Sequence, residues 1–296
     1  MANLRDVRIR MRAIEQTLQV TKAMNLISTA KLRKGRRALE DTEPYFTRIQ
    51  KSMYDIVAGA GHERSEFFGR NTPEENYRSA VVVITSDKGL AGGYNAAIFR
   101  HVEELCLGVK NPILILIGSI GYRHFMHTPH LILENFTFNS KLPDIDDAKE
   151  IADYIIAQYL WGMFDEVYIV YTHMHSAIKL LPTDKCILPL KEPVMRQELN
   201  RIETKERTRH DFVYIPSQEA VFDALAPLYI KGLVYGCMVE AYASEQTARI
   251  AAMDDASKNA EEMLSSLRIY YNRVRQAGIT QEMTEIVSGF SAQGDS

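Results

Sequence analysis

The feature that most constrains this chain lies near its C-terminal end. From about Leu228 to Val287 there is no proline and there are only three glycines, Gly232, Gly236 and Gly278. Such a run predicts one very long helix. Alternating steps of three and four residues select Met253, Ala256, Ala260, Met263, Leu267, Tyr270, Val274 and Ala277, apolar residues on successive heptad seam positions. At about 1.5 Å per residue, about 60 residues span about 90 Å, whereas a compact chain of this length has a radius of gyration of about 19 Å. A helix of that length stands out of any globule, and its apolar seam needs a second helix.

The N-terminal end supplies that second helix. No proline occurs before Pro44, and Leu4, Val7, Met11, Ile14 and Leu18 follow the same three-four spacing. The register then reaches Thr21, Asn25 and Ser28 before Leu32 and Leu39, so the strict seam turns polar, while Val20, Met24 and Ile27 carry an apolar stripe beside it. Residues 1 to 39 hold ten Lys or Arg against only Asp6 and Glu15, which the net charge of -3 conceals. Most such runs are simply solvated faces; the sharper reading is a surface that meets an acidic partner. The helix restarts at Pro44 and runs to about Val57, and Gly59, Gly61, Gly69 and Pro73 then mark a boundary.

Between the two ends the periodicity changes. Ala80 to Ile84, Ile113 to Ile117 and Val167 to Tyr171 are short apolar runs that alternate with amphipathic segments, Ala96 to Leu107 and Ala148 to Leu160. Continuous apolar strands alternating with helices predict a mostly parallel sheet covered on both faces. Arg196 to Asp211 is a charged excursion, and Ser217 with Glu219 looks like a helix start. Cys106, Cys186 and Cys237 are too few and too scattered for a disulfide framework and suit a reducing compartment. No apolar run approaches the roughly 18 residues of a membrane span, and the N-terminus lacks a signal core, so a mature start near Met1 in a cytoplasm is expected.

Catalytic motifs are weak. The turn Asp87-Lys88-Gly89-Leu90-Ala91-Gly92-Gly93-Tyr94-Asn95 lies between a strand and a helix, where phosphate can bind. It has neither the Lys-Ser/Thr pair of a P-loop nor the spacing of a dinucleotide fingerprint, and a structural turn is the better reading. His173 with His175, and His127 with His130, lack the further ligands that would complete a zinc shell. Asp144, Asp146 and Asp147 lack the glycine and glutamate of a calcium loop and are expected to start the next helix. No catalytic residue, cofactor or metal is expected.

The two ends together resemble the gamma subunit of F-type ATP synthases. The resemblance rests on IEQTLQVTKAMNLISTAKLR from Ile14, on ASEQTARIAAMDDASKNAEEM from Ala243 and on YNRVRQAGITQEMTEIVSG from Tyr271, with TSDKGLAGGYN between them. Ala91 stands where a cysteine is common in that family, and the ending Phe290-Ser291-Ala292 departs from the usual alanine-rich one. The resemblance implies a mixed α and β fold: a long antiparallel coiled coil of the N- and C-terminal helices with an inserted Rossmann-like α/β domain. The corresponding parts are residues 1–60 and 213–296 for the shaft and 76–212 for the foot. It further implies a single-copy, non-catalytic rotor that turns inside a hexamer of alpha and beta subunits, with the epsilon subunit and the membrane c-ring as further partners. It would regulate the ATPase and sit peripherally on the cytoplasmic face of a bacterial plasma membrane; no transit segment or regulatory cysteine pair points to a chloroplast form.

Residue by residue, the resemblance assigns Arg275 and Gln276 to a catch loop on a catalytic subunit, and Lys22, Met24, Arg249, Thr280 and Glu282 to coupling between rotation and catalysis. The tip formed by Ile279, Met283, Ile286, Val287 and Phe290 is apolar, which suits a sleeve of surrounding subunits. On the residues alone two rivals stand: a basic coiled coil that binds nucleic acid, with steeply salt-dependent affinity, and an α/β enzyme using Gly92 and Gly93. The implied partners include no nucleic acid.

Overall fold

The computed structural model describes residues 4–58, 65–70, 72–137, 141–175, 179–190 and 214–294, except for the side chains of 54, 57, 58 and 287–294. Helix α1 spans Leu4–Ala58 and the last helix, α5, spans Gln218–Gly294. Between them come β1 (Ser79–Ile84), α2 (Tyr94–Gly108), β2 (Pro112–Ile117), α3 (Ser119–Phe125), β3 (Leu131–Phe136), α4 (Ile145–Leu160), β4 (Glu166–Met174) and β5 (Leu180–Leu188). The expected restart at Pro44 is corrected: α1 runs through it. Proline removes one donor and crowds the carbonyl four residues back, but Pro44 and Glu40 are both exposed, so that carbonyl is not sealed from water. Pro227 likewise lies inside α5, whose start is set by Ser217, whose hydroxyl accepts from the Ala220 N–H at 3.1 Å.

The chain divides into two compact units, residues 29–248 and residues 1–28 with 249–296. The first holds a five-stranded sheet in the order β3-β2-β1-β4-β5. All its pairings are parallel except β4 with β5, which is antiparallel. The central strand shows why its sequence is uniformly apolar. Ala80, Val82 and Ile84 face a cluster with Ile151 and Ile155 of α4, Met53 of α1 and Ile230 and Val234 of α5. Val81 and Val83 face the opposite cluster, with Ile98 and Val102 of α2 and Phe125 of α3. Both faces are dry, as the runs predicted.

Two strands lie outside those runs. The outermost strands β3 and β5 include Glu134, Asn135, Pro182, Asp184 and Lys185, and each is only partly buried, so neither has a continuous apolar signature. The aspartates before α4 act as expected: Asp144 accepts from the N–H groups of Asp146 and Asp147, and Asp147 returns the bond to the Asp144 N–H. Cys106 is a core thiol, and burial pushes its pKa up to about 11. In this unit α1 and α5 meet closely at Gly232, where an added Cβ would run into the Phe46 ring.

Candidate functional site

The other unit is a two-helix coiled coil, and its seam explains which side chains are left facing outward. On α1 the expected register holds from Leu4 to Ser28: Val7, Thr21 and Ser28 are buried, with Leu4, Met11, Ile14, Leu18 and Asn25 half-buried between them; farther along, the expected Leu39 is exposed. The polar positions are therefore true seam positions. In the stripe beside them Val20 and Ile27 turn outward, more than half exposed, while Met24 is half-buried; Leu26, outside that stripe, is 72% exposed.

On α5 half of the expected seam is shifted by one residue. Met253, Ala260, Leu267 and Val274 do line it, but Ala256, Met263, Tyr270 and Ala277 give way to Ser257, Leu264, Tyr271 and Gly278. A serine and a glycine occupy two of the true positions, where apolarity favours the neighbouring alanines, and the seven-residue spacing between those alanines carries Met263 and Tyr270 with it. Their burial has a physical cause. Thr21 Oγ1 and Ser257 Oγ meet at 2.8 Å across the seam. One hydroxyl donates to the other, and the acceptor returns its own proton to its helix, to the Leu18 or the Met253 carbonyl. Asn25 also crosses, donating to the Ile250 carbonyl at 3.4 Å.

The flanks pair in antiparallel order. Lys22 meets Glu261 at 2.7 Å and Glu15 meets Arg268 at 3.2 Å. Arg8 donates to the Tyr271 hydroxyl at 2.6 Å, with its guanidinium carbon 5.6 Å from the ring centroid. The same register places Leu4 against Val274, and α5 continues from there to Gly294.

The assigned residues fall into three groups. Arg275, Gln276, Thr280, Glu282, Ile279, Met283 and Ile286 are all exposed, and Thr280 Oγ1 donates back to the Gln276 carbonyl at 3.0 Å. Lys22 is exposed but already engaged with Glu261, and Arg249 is buried, only 7% exposed. Val287 and Phe290 lie in α5, with side chains outside the described residues. Reading the residues did not single out Leu26, Ile9 or Ile269, the last 69% exposed. The α1 register through Thr21, Asn25 and Ser28 already leaves Leu26 off the seam, whereas nothing comparable marks Ile269.

The glycine turn, in the other unit, is closed on itself. Asp87 Oδ1 accepts from the N–H and hydroxyl of Ser119 at 3.0 and 3.2 Å, so a carboxylate already sits at the start of α3. Ser86 N–H donates to Asn95 Oδ1, Asn95 Nδ2 donates to Ser86 Oγ, and that hydroxyl donates to the Lys88 carbonyl. An anion at this place would meet the Asp87 charge. His130 and His173 are held by single carboxylates, Glu103 at 3.0 Å and Glu240 at 2.5 Å.

Comparisons with known proteins agree with the coiled-coil reading. The ATP synthase family model matches residues 3–293. An ATP synthase gamma chain of Acetivibrio thermocellus is 40% identical over 293 residues, covering 99% of each chain. Another, of Ruminiclostridium cellulolyticum, is 42% identical over 291 residues, covering 98% of each. A chain of the Euglena gracilis mitochondrial ATP synthase shares the fold, with a TM-score of 0.67 at 18% identity, over 98% of this chain and 94% of that one. With the family model matched from residue 3 to residue 293 and these identities, the chain belongs to the ATP synthase gamma-chain family.

Proposed function

We propose that residues 1–60 and 213–296 form a shaft that turns inside a hexamer of alpha and beta subunits, while residues 76–212 form a foot that meets the epsilon subunit and the membrane c-ring. As a member of the gamma-chain family the chain is a non-catalytic central-stalk subunit of an F-type ATP synthase, part of a membrane-associated complex. One copy per complex couples ion flow through the ring to ATP synthesis or hydrolysis and regulates the ATPase. The assembly sits on the cytoplasmic face of a bacterial plasma membrane, a reading supported by the relatives in Acetivibrio and Ruminiclostridium.

The observation that carries this reading is the outward apolar surface of the coiled coil. Leu26, Ile269, Met283 and Ile286 each stand more than half exposed, a costly arrangement for a rod meant to stay in water and a suitable one for a surrounding sleeve. Among them the exposed Arg275 and Gln276 offer directional hydrogen bonds to a catch loop, and Lys22, Met24, Thr280 and Glu282 add coupling contacts. Arg249, being buried, supports coupling through the shaft's own packing. The test is Arg275→Ala in the reassembled complex. ATPase turnover is expected to fall while the subunit stays folded and assembled; unchanged turnover with unchanged assembly overturns the catch role.

A further inference from the structure

The flanking charges of the coiled coil repeat every seven residues, and the repeat breaks at one rung. Arg8, Glu15 and Lys22 occupy successive equivalent positions on α1, just as Glu261, Arg268 and Arg275 do on α5. Two rungs are complementary and closed: Lys22 with Glu261, and Glu15 with Arg268. In an antiparallel pair the same register brings the third members, Arg8 and Arg275, to one rung. Both are cations. The shaft therefore has an attractive flank along two rungs and a repulsive one at the third.

The structure shows how that rung is arranged. Arg8 turns onto the seam, where it donates to the Tyr271 hydroxyl at 2.6 Å and lies over the ring. Tyr271 is one helical turn before Arg275 on α5. No carboxylate occurs three or four residues from Arg275 on its own helix, since those positions are Tyr271, Asn272, Gly278 and Ile279. Among the described residues no hydrogen bond or ion pair reaches the Arg275 guanidinium, which is exposed.

We infer that Arg8 is a positioning residue: clasped by Tyr271 and like-charged with Arg275, it keeps the Arg275 fork off the shaft and free to take a carboxylate on a surrounding subunit. This rests on the reading of Arg275 as a partner contact. An acid at position 8 would close a third complementary rung and hold Arg275 against α1, as Glu15 holds Arg268. A guanidinium in that state has to break one ion pair before making another, whereas the wild-type fork is ready for bidentate contact.

Two measurements test this. In the reassembled complex, Arg8→Glu and Arg8→Gln both remove the Tyr271 clasp, but only the glutamate captures Arg275. ATPase turnover of Arg8→Glu should fall by roughly threefold, the scale of one exposed ion pair, and Arg8→Gln should lose much less. The gap should close as ionic strength rises from about 0.05 M to about 0.5 M, and Arg8→Glu should add little to Arg275→Ala. Equal losses in the two position-8 variants, or a gap indifferent to salt, overturn the inference.

The second measurement is thermal melting of the isolated full chain in a cycle of Arg8→Glu, Arg275→Ala and the double variant. A salt-sensitive gain that needs Arg275 is expected. Absence of coupling in that cycle refutes the shared rung even if Arg275→Ala slows the complex. Coupling in the cycle with full turnover in Arg275→Ala instead refutes the partner contact and leaves the rung standing, so the two failures are distinct.

Discussion

The sheet and the coiled coil obey different rules about what is buried. In β1 every residue from Ser79 to Ile84 is buried, and apolarity alone locates the strand. In the coiled coil, buried Thr21, Ser28 and Ser257 lie beside exposed Leu26, Ile27 and Ile269, so apolarity misleads. The sheet is covered on both faces by its own chain, and its interior has no room for a choice. A two-helix rod seals only about two positions in seven. The other five are decided by what surrounds the rod, and the chain alone contains no such surroundings.

The largest expected contrast is between two leucines. Leu114 is fully buried in the sheet, so Leu114→Ala should destabilise the chain by about 3 kcal/mol. Leu26→Ala removes a side chain 72% exposed and should change stability by less than about 0.5 kcal/mol. Denaturation of the free chain reads both. Comparable losses would mean that Leu26 is packed in the free chain and does not face outward.

A pair of glycines sharpens the same contrast. Gly118 has φ of +102°, and a Cβ there would strike the Thr85 carbonyl oxygen, so Gly118→Ala should cost about 2 kcal/mol. Gly278 lies in α5 with nothing within 4 Å of an added Cβ. Gly278→Ala should raise the melting temperature through helix propensity, by the equivalent of about 0.5–1 kcal/mol. A loss at 278 would reveal a close neighbour or a need for a flexible joint before the tip.

The polar seam supplies the third test. Thr21→Val or Ser257→Ala leaves one buried hydroxyl without its cross-seam partner and should cost about 1 kcal/mol. The double variant should cost less than the sum, because no polar group is then stranded. Strict additivity would show that each hydroxyl serves only its own helix, through the Leu18 and Met253 carbonyls.

These contrasts also explain what could be read from the residues. The central strands and α4 were legible because burial on both faces, or a carboxylate cap, writes itself into local sequence. The outer strands β3 and β5 were not, since a half-exposed outer strand tolerates Glu134, Pro182 and Asp184. On α1 the seven-residue spacing located the seam even through Thr21 and Ser28. On α5 the same spacing admitted two answers one residue apart, and the burial of Ser257 and Leu264, with Ser257 paired to Thr21, decides between them. Arg275 and Gln276 are exposed, and their role as partner contacts is read from the motif and not from any local pattern. Arg249 was assigned by motif alone, and no local pattern foretold its burial.

The smallest expected effect separates holding the shaft together from transmitting its motion. Lys22 and Glu261 form an ion pair at 2.7 Å with both side chains more than half exposed. Exposed pairs of this kind contribute less than about 1 kcal/mol, because water and salt screen the attraction and two long side chains must be held still. Lys22→Gln should therefore shift the stability of the free chain by no more than about 0.5 kcal/mol, with the shift vanishing at high salt. If Lys22 has the coupling role proposed above, the same variant should still lower ATPase turnover in the assembled complex, where its charge would face the surrounding subunits. A large loss of stability in the free chain would assign Lys22 to the rod's own cohesion. Unchanged turnover together with unchanged stability would leave the ion pair as a surface contact without consequence, and would narrow the coupling surface to the residues beyond Tyr271.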